Sequence, residues 1–207
     1  MPVQKIVNEA NRSWGLWHIN ESEDSLREQL GELESTPPTF TNPRKRQEFL
    51  AGRLLLRELL NAMKLHFTGI KKDEYGKPYL KNLPHHISLS HSFPYVAAII
   101  DQDNIVGIDL EQPKDKLFRV AARIHSPEEL ADAGENLTKH CVYWCAKEAL
   151  IKVYGKKDLT LAGDLKIGPF ELKNEGTISG SIIAGEQPTK LFLKYRVFDD
   201  FVLVFNQ

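Results

Sequence analysis

Ile87-Ser88-Leu89-Ser90-His91-Ser92-Phe93-Pro94-Tyr95-Val96-Ala97-Ala98-Ile99-Ile100-Asp101-Gln102-Asp103-Asn104-Ile105-Val106-Gly107-Ile108-Asp109-Leu110-Glu111 decides the fold. Three strand-length runs follow one another inside it: Ile87–Ser90, Tyr95–Asp101 and Ile105–Glu111. Asp101-Gln102-Asp103-Asn104 supplies turn chemistry between the second and the third. Strands in such quick order leave no room for the crossover helices of a parallel sheet.

Working outward, Trp14–Ile19 reads as a strand, and a helix follows over about 23–33, broken by Ser35-Thr36-Pro37-Pro38. Asn42-Pro43 reads as a helix cap with proline in the first turn, opening a helix to about Leu65. Residues 69–84 read as a turn-rich link. Downstream, helices are predicted over about 115–124, 126–133 and 137–154, the second opened by Ser126-Pro127-Glu128-Glu129. Strands are predicted over about 165–172, 177–183, 190–198 and 200–205. Helix-then-strands thus occurs twice, and segregated helices and strands define an α+β fold. The two halves, 1–101 and 102–207, are similar in size and order of elements, as a duplicated α+β unit would be.

Composition narrows the function classes. The 207 residues suit one large domain or two small ones. Hydrophobic residues at 42% and charged residues at 27% exclude disorder and supply a full core. Lys+Arg (27) nearly balance Asp+Glu (28), a net charge of −1 that argues against a partner of nucleic acid. The N-terminus lacks a secretory pattern, and no run approaches the roughly 18 apolar residues of a membrane helix. Cys141 and Cys145 make neither a disulfide framework nor a zinc site. A cytoplasmic protein with no membrane partner is expected.

On a strand, alternation puts Asp109 and Glu111 on one face, with Val106, Ile108 and Leu110 on the other. Their Cα atoms are then roughly 6–7 Å apart, a spacing at which two hard oxygen ligands suit Mg²⁺. A solvent-facing strand edge with ordinary charges is the alternative. In the helix containing Tyr143–Lys152, Trp144, Glu148 and Lys152 share one stripe. Glu148 and Lys152 read either as a solvated pair or as a third ligand or base and a phosphate contact. Arg46, Arg53 and Arg57 share a stripe of the helix after Pro43, which is either a solvated face or a set of phosphate-matching guanidiniums. Gly76-Lys77-Pro78 projects one lysine from a turn, and Ser90-His91-Ser92 ends a strand with hydroxyls and an imidazole. His85 and His86 are assigned nothing.

Taken in order, five blocks resemble the 4′-phosphopantetheinyl transferases of the surfactin-synthetase-activating (Sfp) type. They are Gly52-Arg53, Gly76-Lys77-Pro78, Ser90-His91-Ser92, Gly107-Ile108-Asp109-Leu110-Glu111 and Trp144-Cys145-Ala146-Lys147-Glu148-Ala149-Leu150-Ile151-Lys152. Asp109 and Glu111 followed by Lys147-Glu148 and Lys152 form the specific part. The resemblance implies a pseudo-twofold monomer of two α+β halves with the active site in the cleft between them. It implies transfer of the phosphopantetheine arm of coenzyme A to a serine of an apo acyl or peptidyl carrier protein, releasing adenosine 3′,5′-bisphosphate. By the same resemblance Asp109, Glu111 and Glu148 hold Mg²⁺, with Mn²⁺ left open. Glu148 and Lys152 are catalytic, as proton acceptor and as partner of the leaving phosphate. Lys77, Ser90 and His91 match coenzyme A phosphate contacts, and Arg53 and Arg46 match the nucleotide's 3′-phosphate end. Asp109 and Lys152 also face the coenzyme. Residues 112–125, through Leu117 or Phe118, are the expected carrier docking surface. Two alternatives stand beside the transferase: a Mg²⁺-dependent nucleotide phosphohydrolase, and a non-enzymatic anion-binding protein built on the arginine stripe.

Overall fold

Why the chain folds as two helix-on-sheet layers is visible in its two long helices, each apolar along the stripe that meets an antiparallel sheet. The computed structural model describes residues 3–207 and divides into two compact units, residues up to Val106 and Gly107–Gln207. The architecture is α+β.

In the N-terminal unit the elements are β1 (Val3–Asn8), β2 (Arg12–His18), α1 (Glu23–Leu30) with a 3₁₀ turn (Gly31–Leu33), α2 (Pro43–Ala62), β3 (Ile70–Lys72), β4 (Pro78–Leu80), β5 (His86–Ser92) and β6 (Tyr95–Asp101). The strands form one antiparallel sheet in the order β1-β2-β6-β5-β4-β3. Asn42 caps α2 by accepting from Arg44 N–H, with Pro43 in the first turn. Leu50, Leu54, Leu55, Leu56, Leu59 and Leu60 of α2 are fully buried against Val96, Ala98 and Ile100 of β6 and Ile87 of β5.

The C-terminal unit contains β7 (Ile108–Glu111), α3 (Lys116–Ile124), α4 (Pro127–Ala133), α5 (Leu137–Tyr154), α6 (Leu161–Asp164), β8 (Leu165–Ile167), β9 (Glu175–Ile182), β10 (Thr189–Val197) and β11 (Val202–Asn206). Its sheet runs β7-β11-β10-β9-β8, again antiparallel. Here α5 lies on the sheet, burying Val142, Cys145, Ala146, Ala149 and Leu150 with Val202 and Val204 of β11 and Leu193 of β10. Ser126 closes a capping box with Glu129 at the start of α4, the pairing that its Ser-Pro-Glu-Glu sequence encodes.

Three features depart from the sequence reading. Residues 69–84 are not a plain link: β3 and β4 form a hairpin, with Ile70 opposite Leu80 and Lys72 opposite Pro78. Three-residue strands carrying lysine and proline give too short an alternation to register. β1 likewise emerges from residues that read only as mixed. The third run of the opening stretch is strand only from Ile108, and it pairs with β11 rather than β6. The Asp101 turn is present, with Oδ1 accepting from the N–H groups of Asp103 (2.9 Å) and Asn104 (2.8 Å). It therefore passes the chain from one sheet to the other instead of closing a hairpin. Among the described residues no helix is long and apolar enough to cross a membrane.

Candidate active site

Gly107 fixes where β7 lies. A Cβ there would stand 2.0 Å from the Ala149 carbonyl oxygen of α5, so only glycine allows this approach. The Gly107 N–H donates to Asn206 Oδ1 (2.8 Å), and Asn206 N–H donates back to the Gly107 carbonyl (3.2 Å). Pinned between β11 and α5, the strand then turns Asp109 toward the helix.

Asp109 is only 6% exposed, which removes the solvent-facing strand edge as a reading. Lys152 Nζ donates to Asp109 Oδ1 (2.7 Å) and to the Ile108 carbonyl (2.7 Å). The i,i+4 pair expected of Glu148 and Lys152 is thus replaced by a cross-element pair to Asp109. Glu148, half-buried one turn earlier, has its carboxyl held above the usual carboxylate range, first by burial and then by the charge of Asp109, with Lys152 opposing both. A carboxyl so placed retains a proton to higher pH than an exposed glutamate does, which suits proton-accepting chemistry near neutrality. Beneath them lie Cys141 and Cys145, both buried and free. Burial foremost, then Cys141 and Asp109, pushes the Cys145 thiol up, so it is a packing residue rather than a nucleophile.

Glu111 sits two residues on. Its Oε1 accepts from Gln112 N–H (2.9 Å) and its Oε2 from Lys116 Nζ (3.0 Å). The three carboxylates fit a hard divalent cation in kind, all offering oxygen donors. Asp109 and Glu148 interact electrostatically. No group of three potential ligands is gathered closely enough to hold a metal among the described residues.

A residue of the signature to which the sequence reading gave no role holds α5 in place. Lys147 is fully buried. It pairs with Glu129 at 2.5 Å and donates to the carbonyls of Ile124 (2.8 Å) and Leu161 (2.8 Å). Glu129 also accepts from the N–H groups of Ser126 (2.8 Å) and Ile167 (2.9 Å). One buried ion pair thus ties α3, α4, α6 and β8 to the helix carrying Glu148. The signal was a lysine beside the apolar stripe Cys145, Ala146, Ala149, Leu150, a position that burial makes tolerable only with a carboxylate partner.

In the N-terminal unit the expected phosphate contacts separate. Arg46 pairs with Glu23 (2.7 Å) and donates to the carbonyls of Phe40 (3.1 Å) and Thr41 (2.8 Å). Arg57 reaches Glu58 (3.2 Å) and the Gln29 carbonyl (2.6 Å). Arg53, its side chain 12% exposed, pairs with Glu34 (2.6 Å) and stacks 3.4 Å over the Phe49 ring. Each arginine of the stripe is thus already paired and clamps α2 to its own unit. Lys77 sits in the β3–β4 turn, where Asp73 accepts from the N–H groups of Lys77 (2.8 Å) and Tyr75 (3.0 Å). Burial lowers the Lys77 ammonium's pKa, opposed by Asp73. Ser90 and His91 follow each other on β5 and so point to opposite faces. Ser90 is buried. His91 faces α2, where Glu48 meets it. Of the expected docking pair, Leu117 is core, while Phe118 is exposed; shape alone makes Phe118 the candidate.

Known proteins carry the same two-part pattern. Residues 105–205 match the 4′-phosphopantetheinyl transferase superfamily model, and residues 39–101 match that of the 4′-phosphopantetheinyl transferase N-terminal domain. A 4′-phosphopantetheinyl transferase of Bacillus subtilis is 34% identical over 148 residues, 67% of this chain and 64% of that protein. The 4′-phosphopantetheinyl transferase ffp of Bacillus subtilis is 34% identical over 160 residues, 70% of this chain and 66% of that protein. The 4′-phosphopantetheinyl transferase Sfp of Bacillus subtilis strain 168 is 30% identical over 139 residues, 57% of this chain and 62% of that protein. The chain thus spans less than two thirds of the length of these relatives. It belongs to the 4′-phosphopantetheinyl transferase superfamily. The phosphohydrolase and anion-binding alternatives gain no support from these matches.

Proposed function

We propose that this chain transfers the 4′-phosphopantetheine arm of coenzyme A to a serine hydroxyl of an apo acyl or peptidyl carrier protein. It does so as a monomer in the cytoplasm. The observation that carries this reading is the seam between β7 and α5, where Asp109, Glu148 and Lys152 meet inside the segment that matches the superfamily.

In the reaction the serine Oγ forms a bond to the β-phosphorus of the coenzyme. The bond from that phosphorus to the bridging oxygen breaks, and adenosine 3′,5′-bisphosphate leaves. Asp109, Glu111 and Glu148 would hold Mg²⁺, or Mn²⁺ in its place, and the bound ion supplies Lewis-acid neutralisation of the phosphates. Glu148 accepts the serine proton, directly or through a water. Lys152 meets the charge that develops on the leaving phosphate. Its ammonium is already aimed by the Ile108 carbonyl and Asp109, so little reorganisation is needed as the bond breaks. Lys77, Ser90 and His91 are assigned to the coenzyme A phosphates. Arg46 and Arg53 support the reading mainly as clamps on α2, because contact with a 3′-phosphate would have to displace Glu23 or Glu34. Phe118 is assigned to the carrier surface.

Release of adenosine 3′,5′-bisphosphate tests the reaction class. Release should require both an apo carrier and its modifiable serine. Equal release without any carrier would instead establish hydrolysis and overturn the transferase reading.

A further inference from the structure

Glu48 lies on the first half of α2 with its side chain 9% exposed. Neither Lys nor Arg pairs with it among the described residues. Instead its Oε1 accepts from the Phe93 N–H (3.0 Å), in the turn between β5 and β6. Its Oε2 stands 3.1 Å from His91 Nδ1. A buried carboxylate is tolerated only where hydrogen bonds replace water. Both oxygens of this one are committed to a single turn and the imidazole at its edge. The His91 side chain is 56% exposed, so the ring is anchored at one nitrogen and open to solvent elsewhere.

We infer that Glu48 is a positioning residue that accepts from His91 Nδ1–H and so fixes the ring with its Nε2 edge outward, where an Nε2–H of the doubly protonated ring donates to the phosphate that His91 is assigned to hold. The inference rests on the transferase reading for the identity of that phosphate, though not for the Glu48–His91 contact itself. A carboxylate bonded to one ring nitrogen sets both the tautomer and the direction of the other, which is how such carboxylate partners orient functional histidines. Because the same carboxylate holds the Phe93 N–H, the ring's direction and the β5–β6 turn are set together. Nothing in the sequence marks this: Glu48 and His91 are brought together only when α2 packs on β5.

Two measurements on the full chain separate the contact from its use. In long-range proton–nitrogen NMR, His91 of the parent protein should carry its neutral-form proton on Nδ1, and Glu48→Gln should shift the ring toward the Nε2–H form. An unchanged tautomer would overturn the positioning role whatever the enzyme does. In the transfer assay Glu48→Gln should raise the KM for coenzyme A by about tenfold, with kcat within about twofold, as loss of an orienting partner does. Glu48→Asp should restore part of the loss. In a His91→Ala background Glu48→Gln should add less than about twofold, since the residue acts through the ring. A full KM effect in that background would show that Glu48 acts by another route. Absence of transfer by the parent protein, with the tautomer shift intact, would overturn the phosphate assignment and leave the contact.

Discussion

Helices α2 and α5 do the same architectural task with different material. Each lies on an antiparallel sheet, yet the buried stripe of α2 is almost wholly leucine. That of α5 admits His140, Cys141, Cys145 and Lys147 among its apolar residues. Around α2 the charges pair off beside the leucine stripe: Arg46, Arg53 and Arg57 find partners within the unit, and the buried Glu48 meets His91. Around α5 they enter the seam, as Lys147 with Glu129 and Lys152 with Asp109. Polar groups admitted to a seam need satisfied geometry, and that same geometry aims Asp109, Glu148 and Lys152 at one place. The first helix is seated by leucine, and the second is seated with ion pairs inside its seam.

Asp109→Asn breaks this contrast most directly. It keeps the side-chain shape but removes the charge facing Lys152, and transfer should fall by about 10³-fold, the scale of a lost preorganised electrostatic group. Circular dichroism should show the fold retained. Near-normal turnover at saturating Mg²⁺ would remove Asp109 from the machinery.

Gly107→Ala attacks the seam sterically. With the new methyl 2.0 Å from the Ala149 carbonyl, backbone must move, and destabilisation by about 3 kcal/mol is expected, at the upper end for overpacking. Denaturant titration measures it, and a loss under about 0.5 kcal/mol would mean that β7 is free to shift.

The α2 side is tested by Arg53→Ala, which leaves the largely buried carboxylate of Glu34 without its cation. A loss of about 3 kcal/mol in stability is expected, with coenzyme A KM unchanged in the folded protein. The opposite pattern, a raised KM with unaltered stability, would return Arg53 to phosphate binding and erase the contrast between the helices.

The smallest effect concerns His125, which is buried and stacks on His140. Its Nδ1 and that of His140 have no hydrogen-bond partner among the described residues. Burial, then His140 and Lys147, pushes the His125 pKa down to about 3 from the ordinary 6.5. As pH falls below 6.5 the unfolded chain takes up this proton before the folded one does. Stability is therefore full above pH 6.5 and is lost toward pH 3, by about 2 kcal/mol at pH 5, at roughly 1.4 kcal/mol per unit. His125→Phe should flatten that slope in urea titrations at pH 5 and 7. An unchanged slope would place the acid sensitivity elsewhere.

Most of the fold was legible because long, regular segments carry their own signals. The Asn42-Pro43 cap, the Ser126 capping box and the apolar stripe of α5 each pointed to one element. What escaped was either too short, like β3 and β4, or a matter of tertiary placement. The run Ile105–Glu111 has strand character throughout, yet only the contact of Gly107 with Ala149 and the β11 partner decide where the strand begins. In the site, type and spacing left Asp109, Glu111, Glu148 and Lys152 open between ordinary charges and ligands, and the family resemblance singled them out. Neither told who pairs with whom: Lys152 turning to Asp109, the clamping of Arg46 and Arg53, and the meeting of Glu48 with His91 all depend on elements distant in sequence.

Intact-mass spectrometry of an apo acyl carrier protein, after incubation with this protein, coenzyme A and Mg²⁺, tests the central claim most directly. One added phosphopantetheinyl group, absent with EDTA and absent with Asp109→Asn, is the predicted result. An unshifted mass across both fatty-acid and peptidyl carriers, from protein that also fails to bind coenzyme A, would contradict it.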